Sequence, residues 1–391
     1  MKDFIFAKWG DKLLFALALA VLATGLLRVW SNPPPPVIVE APPATIVFTQ
    51  WWENDLDKNI LPQLIAEFES LHEGIHVVLS YKSYEDLLLK LFDMCEDIFP
   101  GDVFALDPRW VSELEDKGII EYASPPLLSF INLLFYNIDI LREAGFVRPP
   151  KSRTEFITHA RTVAGMEGNR LGLVMDNSGS RRLYDDVYSW IWSSGGQLLR
   201  DGRPQINTRP VIDSLSFLAS MKEEGLLVKG NKLEDFSSGR AAFMISSSKD
   251  IRFVRERLGK TSFDISNIPL PDNHTGRSYY GSAGWALGVN SNSAHREEAR
   301  LFVGFLAERA HILANNTGAI LGGSLPSRDP LYSKAWDIAM AWHSSKEFPA
   351  LPWMELETIF SEELDYLFAG ETTPAHAASA IQRRWTERLS P

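Results

Sequence analysis

The chain of 391 residues is 45% hydrophobic and 23% charged, a globular composition that excludes wholesale disorder and a length that suits two lobes better than one core. Its 39 basic and 50 acidic residues give a formal charge of −11 without a Lys/Arg cluster, which excludes a nucleic-acid binder, because phosphate neutralisation needs concentrated positive charge. A single cysteine, Cys95, excludes an intrachain disulfide; it follows Leu87, Leu88 and Leu91 at helical spacing and reads as a buried, inert thiol. With no zinc-ligand spacing, no HExxH and no phosphate-binding Gly-rich loop, no metal or cofactor is expected.

From the N-terminus, Leu13 to Leu27 (LLFALALAVLATGLL) is uncharged and strongly apolar, and Lys2, Lys8 and Lys12 precede it. Extended through Val29 and Trp30, with Arg28 able to snorkel, the run reaches the lower end of bilayer-spanning length. A cleaved signal peptide would end in small residues, yet Leu26, Leu27, Val29 and Trp30 continue the apolar run; Leu26 also stands where a lipoprotein would carry its acylated Cys. Residues 1–30 are therefore expected to form one uncleaved N-terminal transmembrane helix, with a cleaved signal as the alternative. The flanking lysines orient it N-in and place the rest outside the cytoplasm, periplasmic or at the cell surface. Ser31 to Pro43 (SNPPPPVIVEAPP) is a stiff, Pro-rich spacer extending by about 3 Å per residue.

The body begins at Ala44. Thr45 to Thr49 is a β-branched strand, and Leu61, Leu64, Ile65 and Phe68 mark one face of the helix after it. A strand at 75–79, a helix at 84–97, a strand at 102–106 and a helix at 110–117 follow; this alternation predicts a parallel sheet covered on both faces. Ligands of such sheets bind beyond the carboxyl ends of the strands, here Trp51, Trp52 and Glu53 after the first and Asp107 after the third. A strand near 132–137 leads into a helix at 138–144. Helices at 154–166, 183–193, 211–224 and 249–258 then alternate with strands at 171–175, 241–246 and 263–268. A strand at 285–289, a helix at 297–306 and a helical C-terminal third, including 356–368 and 375–389, complete the pattern.

Six blocks in order carry a resemblance. They are IVFTQWWENDLDKNILPQLIAEFESLHEGIHVVL at 46–79, GDVFALDPRWVSELEDKGII at 101–120, LLFYNIDILREAGFVRPPKSRTEF at 133–156, WSSGGQLLRDGRPQINTRPVIDSLSFLASMKEEGL at 192–226, SSGRAAFMIS at 237–246 and GSAGWALGVNSNSAHREEARLFVGFL at 281–306. Together they resemble the extracellular solute-binding proteins of carbohydrate ABC importers, the maltose-binding type (family 1). The stretch from Gly118 to Tyr136 is shorter than the family's, and Ser246-Ser247-Ser248 stands where the family often has an aromatic. The resemblance implies an α/β, two-lobed periplasmic-binding-protein fold (type II). Its first lobe would comprise residues 44–127 plus 284–326, and its second residues 128–283 plus 327–391. A sugar would bind in the cleft, hinge closure would follow, and an ABC permease pair would receive the solute from a monomer.

A sugar site needs aromatic planes for ring faces and carboxylates for paired hydroxyl hydrogen bonds. Trp51, Trp52, Glu53, Asp107, Tyr184, Asp185, Trp285 and Trp353 supply these types at turns, strand ends and helix starts. Each also has a structural reading: the tryptophans as core, and Asp107, before Pro108, as a helix cap. Glu53 and Asp107 could be paired as glycosidase carboxylates, but nothing sets their separation, and the eight His suggest no catalytic triad, so no enzyme is expected. The alternative function is a membrane-anchored sensor or scaffold on the same fold.

Overall fold

The computed structural model describes residues 14–25, 43–52, 55–92, 101–177, 181–272, 274, 278–279, 281–319, 329–341, 343–344 and 351–390. Glu53, Cys95, the spacer up to Pro42 and both ends of the N-terminal apolar run lie outside the described residues. Met1–Pro43 and Ala44–Pro391 are separate compact units. In the first, residues 14–25 form helix α1, and Thr24 Oγ1 donates to the Ala20 carbonyl. Among the described residues no helix is long and apolar enough to cross a membrane.

In the second unit, β1 (Ala44–Gln50), β2 (Ile75–Tyr81) and β3 (Val103–Leu106) pair in parallel in the order β2-β1-β3. Helix α2 (Ile60–Leu71) buries Leu61, Leu64, Ile65 and Phe68, the stripe its spacing predicts, and α3 is described over Tyr84–Phe92. Helix α4 (Pro108–Asp116) starts on Asp107, whose carboxylate accepts from the Arg109 amide, with Pro108 in the first turn.

The sheet then becomes mixed. Strand β13 (Gly281–Asn290) runs antiparallel to β3 and to the short β4 (Ile120–Ala123), and its first residues pair antiparallel with β5 (Leu128–Asn137). The other end of β5 pairs with β10 (Ala241–Ser247), which lies parallel to β6 (Leu171–Asp176) and through it to β9 (Leu227–Gly230); β11 (Phe263–Ser266) lies antiparallel to β5. Thus β5 and β13 each cross between two α/β halves of one sheet, β5 beginning four residues earlier than its sequence signal.

The core follows this division. One apolar cluster, around Phe48, Trp52, Phe68, Trp110, Trp285 and Phe302, packs the β1–β3 half. Two others pack the half built on β6 and β10: one centres on α6 (Arg153–Ala164), α7 (Arg181–Ser193), α8 (Arg209–Glu223), α14 (Trp353–Phe368) and α15 (Pro374–Leu389), the other on α10 (Ile251–Leu258) and α13 (Pro330–Ala341). The direction of the strands positions the site. Strands β1 and β3 run with β5 toward the second half, while β6 and β10 run against it toward the first. The carboxyl ends of both parallel sets therefore point at the junction.

Candidate binding site

At that junction charged side chains meet. Asp107, just past β3, holds Arg109 through three contacts: its Oδ1 accepts from the Arg109 amide at 2.9 Å and Nε at 3.1 Å, and its Oδ2 accepts from Nη2 at 2.8 Å. Tyr84 donates its hydroxyl to the same Oδ2 at 3.0 Å. Arg109 Nη1 then reaches into the second half, to Glu357 on α14 at 2.7 Å and Asp185 on α7 at 3.2 Å. Arg109 is only 6% exposed and Glu357 3%. Burial alone would lower the Arg109 pKa; Asp107, Glu357 and Asp185 outweigh it and hold the guanidinium charged. Lys249, after β10, makes a second bridge between the halves to Asp55 at 3.2 Å.

The predicted aromatics lie mainly behind this polar surface. Trp52 and Trp285 are buried and stack on each other at 4.3 Å between centroids, 10° apart. Trp51, also buried, packs edge-on against Tyr84 at 5.3 Å and lies 5.5 Å from Trp110. In the second half, Tyr184 is buried against Phe360, and burial pushes its hydroxyl pKa up. Trp353 opens α14 and packs edge-on against Trp385. Of the eight residues singled out in the sequence, Asp107 and Asp185 converge on Arg109 across the junction. Trp51, Trp52 and Trp285 gather in the core of the first half, Tyr184 and Trp353 in that of the second, and Glu53 lies outside the described residues.

Arg109, Lys249 and Glu357 are charged junction residues missing from that set. The Glu357 signal was present: Trp353, Leu356, Phe360 and Leu364 form one buried stripe, and Glu357 is a lone carboxylate on it. Arg109 likewise stands next to Trp110 on the buried side of an otherwise polar helix.

Beside Asp185 a second charged group is fully inside the protein. Asp186 pairs with Lys232, which also lies 3.3 Å from Asp176 at the end of β6. Burial is the main cause that pushes the Asp186 carboxyl up from 3.8 to about 7, against the opposing pull of Lys232. The folded protein then binds a proton that the unfolded chain has released, so this contribution is full below about pH 4 and is lost as pH rises through about 7. Thermal melts between pH 4 and 8 should show a wild-type Tm falling relative to Asp186→Asn across that window. Parallel curves would refute the shift.

A sheet whose two halves aim their parallel strands at one junction, with two strands crossing between them, has the plan of a two-lobed solute-binding fold. Residues 54–311 match the bacterial extracellular solute-binding protein family, and the chain belongs to that family. A probable ABC transporter-binding protein of Deinococcus radiodurans is 23% identical over 228 residues, covering 55% of this chain and 54% of that protein. The chain thus spans about half the length of that curated relative. Among solved structures, the GacH receptor of Streptomyces glaucescens, described unliganded and with acarbose, superposes with a TM-score of 0.74 at 18% identity, covering 90% of this chain and 99% of that one. The maltose-bound MalE3 of T. maritima gives 0.72 at 19% identity, covering 88% and 99%. The cyclic alpha-maltosyl-1,6-maltose binding protein of Arthrobacter globiformis gives 0.70 at 16%, covering 89% and 99%. At these identities the likeness carries the fold, two-lobed and α/β.

Proposed function

We propose that the body captures a small polar solute, a sugar, in the cleft between its halves and delivers it to an ABC permease pair in the membrane. The observation that carries this reading is the convergence of both sets of strand ends on a junction lined by Asp107, Arg109, Asp185 and Glu357. Carboxylates and a guanidinium held there can pair with vicinal hydroxyls in both directions. Family membership and the sugars named with the structural neighbours, maltose and acarbose among them, support the choice of solute. On this reading residues 44–127 plus 284–326 form one lobe and residues 128–283 plus 327–391 the other. Asp107 and Asp185 touch the solute, while Trp51, Trp52, Trp285, Tyr184 and Trp353 back the cleft walls. The apolar N-terminal run tethers a monomeric body on the outer face of the cytoplasmic membrane.

A thermal-shift screen against mono-, di- and oligosaccharides, polyols and glycerol phosphodiesters tests the proposal. The true solute at 100 times its Kd should add about 2.7 kcal/mol of stability. Asp107→Asn and Asp185→Asn should each weaken that solute's binding by about tenfold, through loss of a charge-assisted hydrogen bond. A panel in which no sugar or polyol raises the melting temperature would remove sugar from the reading.

A further inference from the structure

The buried charges behind Asp185 do not balance. Asp176 ends β6, Asp186 lies in α7, and Lys232 opens the short helix α9 (Lys232–Ser237). Lys232 Nζ pairs with both carboxylates, with Asp186 Oδ1 directly and with Asp176 Oδ2 at 3.3 Å. The Asp186 side chain is 0% exposed and that of Lys232 4%. Among the described residues, two carboxylates against one ammonium leave one negative charge inside the protein. An uncompensated buried carboxylate is costly and takes up a proton instead. A hydrogen bond stands open for that proton. Asp176 Oδ2 is buried and receives no hydrogen bond, although it faces the ammonium. The Asp176 amide donates to Asp186 Oδ2 at 3.5 Å, which sets the two residues side by side. Lys232 also starts a helix, where a positive charge opposes the helix dipole, so its charge depends on the two carboxylates.

We propose that Asp176 and Asp186 share one proton, with Lys232 as their counter-charge, and that this proton sets how firmly α7 holds Asp185 at the junction. With the proton in place the cluster is neutral: Asp186 donates to Asp176 Oδ2, and the ammonium balances the remaining carboxylate. Once the proton leaves, one charge is uncompensated, and water must enter between β6, α7 and α9 to solvate it. Asp185, the preceding residue of α7, then loses its fixed frame facing Arg109. The rise of the Asp186 carboxyl to about 7 has the same sense: burial raises it, Lys232 opposes, and Asp176 and Asp185 add to the rise. Around this cluster, α14 brings Glu357 and α4 brings Arg109 to the Asp185 side, and α9 carries Asp235, which pairs with Arg240. Tyr184 and Tyr188 of α7 stay protonated, because burial pushes both hydroxyls up. Strand β5 brings the neutral Asn132 amide, 3.0 Å from Ser189 Oγ. The consequence for Asp185 rests on the solute site proposed above; the shared proton does not.

The test needs no solute. The full chain, carrying carbon-13 in its aspartate side-chain carboxyls, is titrated from about pH 5 to about pH 9 and followed by NMR. The Asp176 and Asp186 resonances should move together with one midpoint near 7, as a coupled pair does. Asp176→Asn should lower the Asp186 midpoint by about one unit or more, and Lys232→Gln should raise it by about as much. The opposite signs follow from the opposite charges removed. The Asp185 carboxyl should shift with the same midpoint in the wild type and lose that step in Asp186→Asn. Asp213→Asn, in an exposed pair with Arg209, should leave every midpoint unchanged. Should Lys232→Gln fail to fold by circular dichroism, Asp176→Asn and the wild-type titration decide the matter. Asp176 and Asp186 both fully ionised at about pH 6, or an Asp186 midpoint indifferent to Asp176→Asn, overturns the shared proton. An Asp185 resonance with no step near that midpoint overturns the link to the junction and leaves the solute reading untouched.

Discussion

Replacing Gly284 by alanine should destabilise the protein by about 4 kcal/mol or more, in the range reserved for changes that break a named structural feature. Gly284 has φ +83°, a region where a Cβ is strained in any surroundings. Here the surroundings are also closed: a Cβ would sit 1.7 Å from the Leu128 carbonyl oxygen and 2.7 Å from its carbon. These are backbone atoms of the partner crossing strand, so no rotamer can relieve the clash. The residue lies where the β13–β5 register shifts between Ser282 and Trp285, the point at which the two halves share their strands. Gly288→Ala makes a useful comparison on the same strand. Its Cβ would meet side-chain carbons, Leu106 Cδ1 at 2.5 Å and Ile120 Cγ2 at 3.2 Å, which can give way. Circular dichroism melts should put Gly284→Ala about 10 °C or more below wild type, with Gly288→Ala between them. An alanine at position 284 that melts with the wild type would mean the crossing is built differently.

Much of the fold was legible because local signals and tertiary demands agree. The stripe at 61, 64, 65 and 68, the run at 45–49 and the Asp107-Pro108 helix start each became the element their residues favour. Elements missed in the sequence lack such agreement. Strand β4 (IEYA) is short and carries exposed Glu121 and Tyr122 on its surface, while β9 ends in Lys229 and Gly230; both are strands because a neighbour offers a free edge. Helix α12 (Ala310–Thr317), which buries Leu313 and Thr317, falls within the C-terminal third read as helical, although its bounds were not. The parallel sheet expected from the alternation holds for β1, β2 and β3, but β13 runs against them, and β5, which runs with them, pairs antiparallel with both β13 and β10. Strand direction across a crossover is set by where the chain returns, which residue patterns do not encode.

The junction was legible in its carboxylates and not in its cation. Asp107 and Asp185 stand at strand-end and helix-start positions that the α/β plan reserves for ligands. Arg109 is two residues from Asp107, but its partners come from 76 and 248 residues away, and only the folded chain brings them together. The tryptophans point the other way. A Trp beside Gly or Glu at a turn suggests an exposed platform, yet neighbours Trp51 and Trp52 are both turned inward by the aromatic cluster of Phe48, Tyr84, Trp110 and Trp285.

That inward stack sets the second large effect. Trp285→Ala should cost about 3–5 kcal/mol of stability without any ligand, because it empties a fully packed site rather than an open cleft wall. Trp285 is 2% exposed, stacks on Trp52 at 4.3 Å and meets Phe130 edge-on at 5.5 Å. Its loss removes buried area worth about 25 cal/mol per Å² together with the stacking contribution, and leaves Trp52 facing a void. Trp285→Phe keeps an aromatic ring against both neighbours and should lose much less. The measurement that discriminates is urea unfolding of the ligand-free protein, read beside solute affinity for each variant. A cleft platform would show normal unfolding with weakened binding. Trp285 should instead show a large fall in the urea midpoint at unchanged slope, with any loss of affinity following from that fall. A Trp285→Ala protein with the wild-type midpoint would place the indole in the cleft and make the stack with Trp52 expendable to the core.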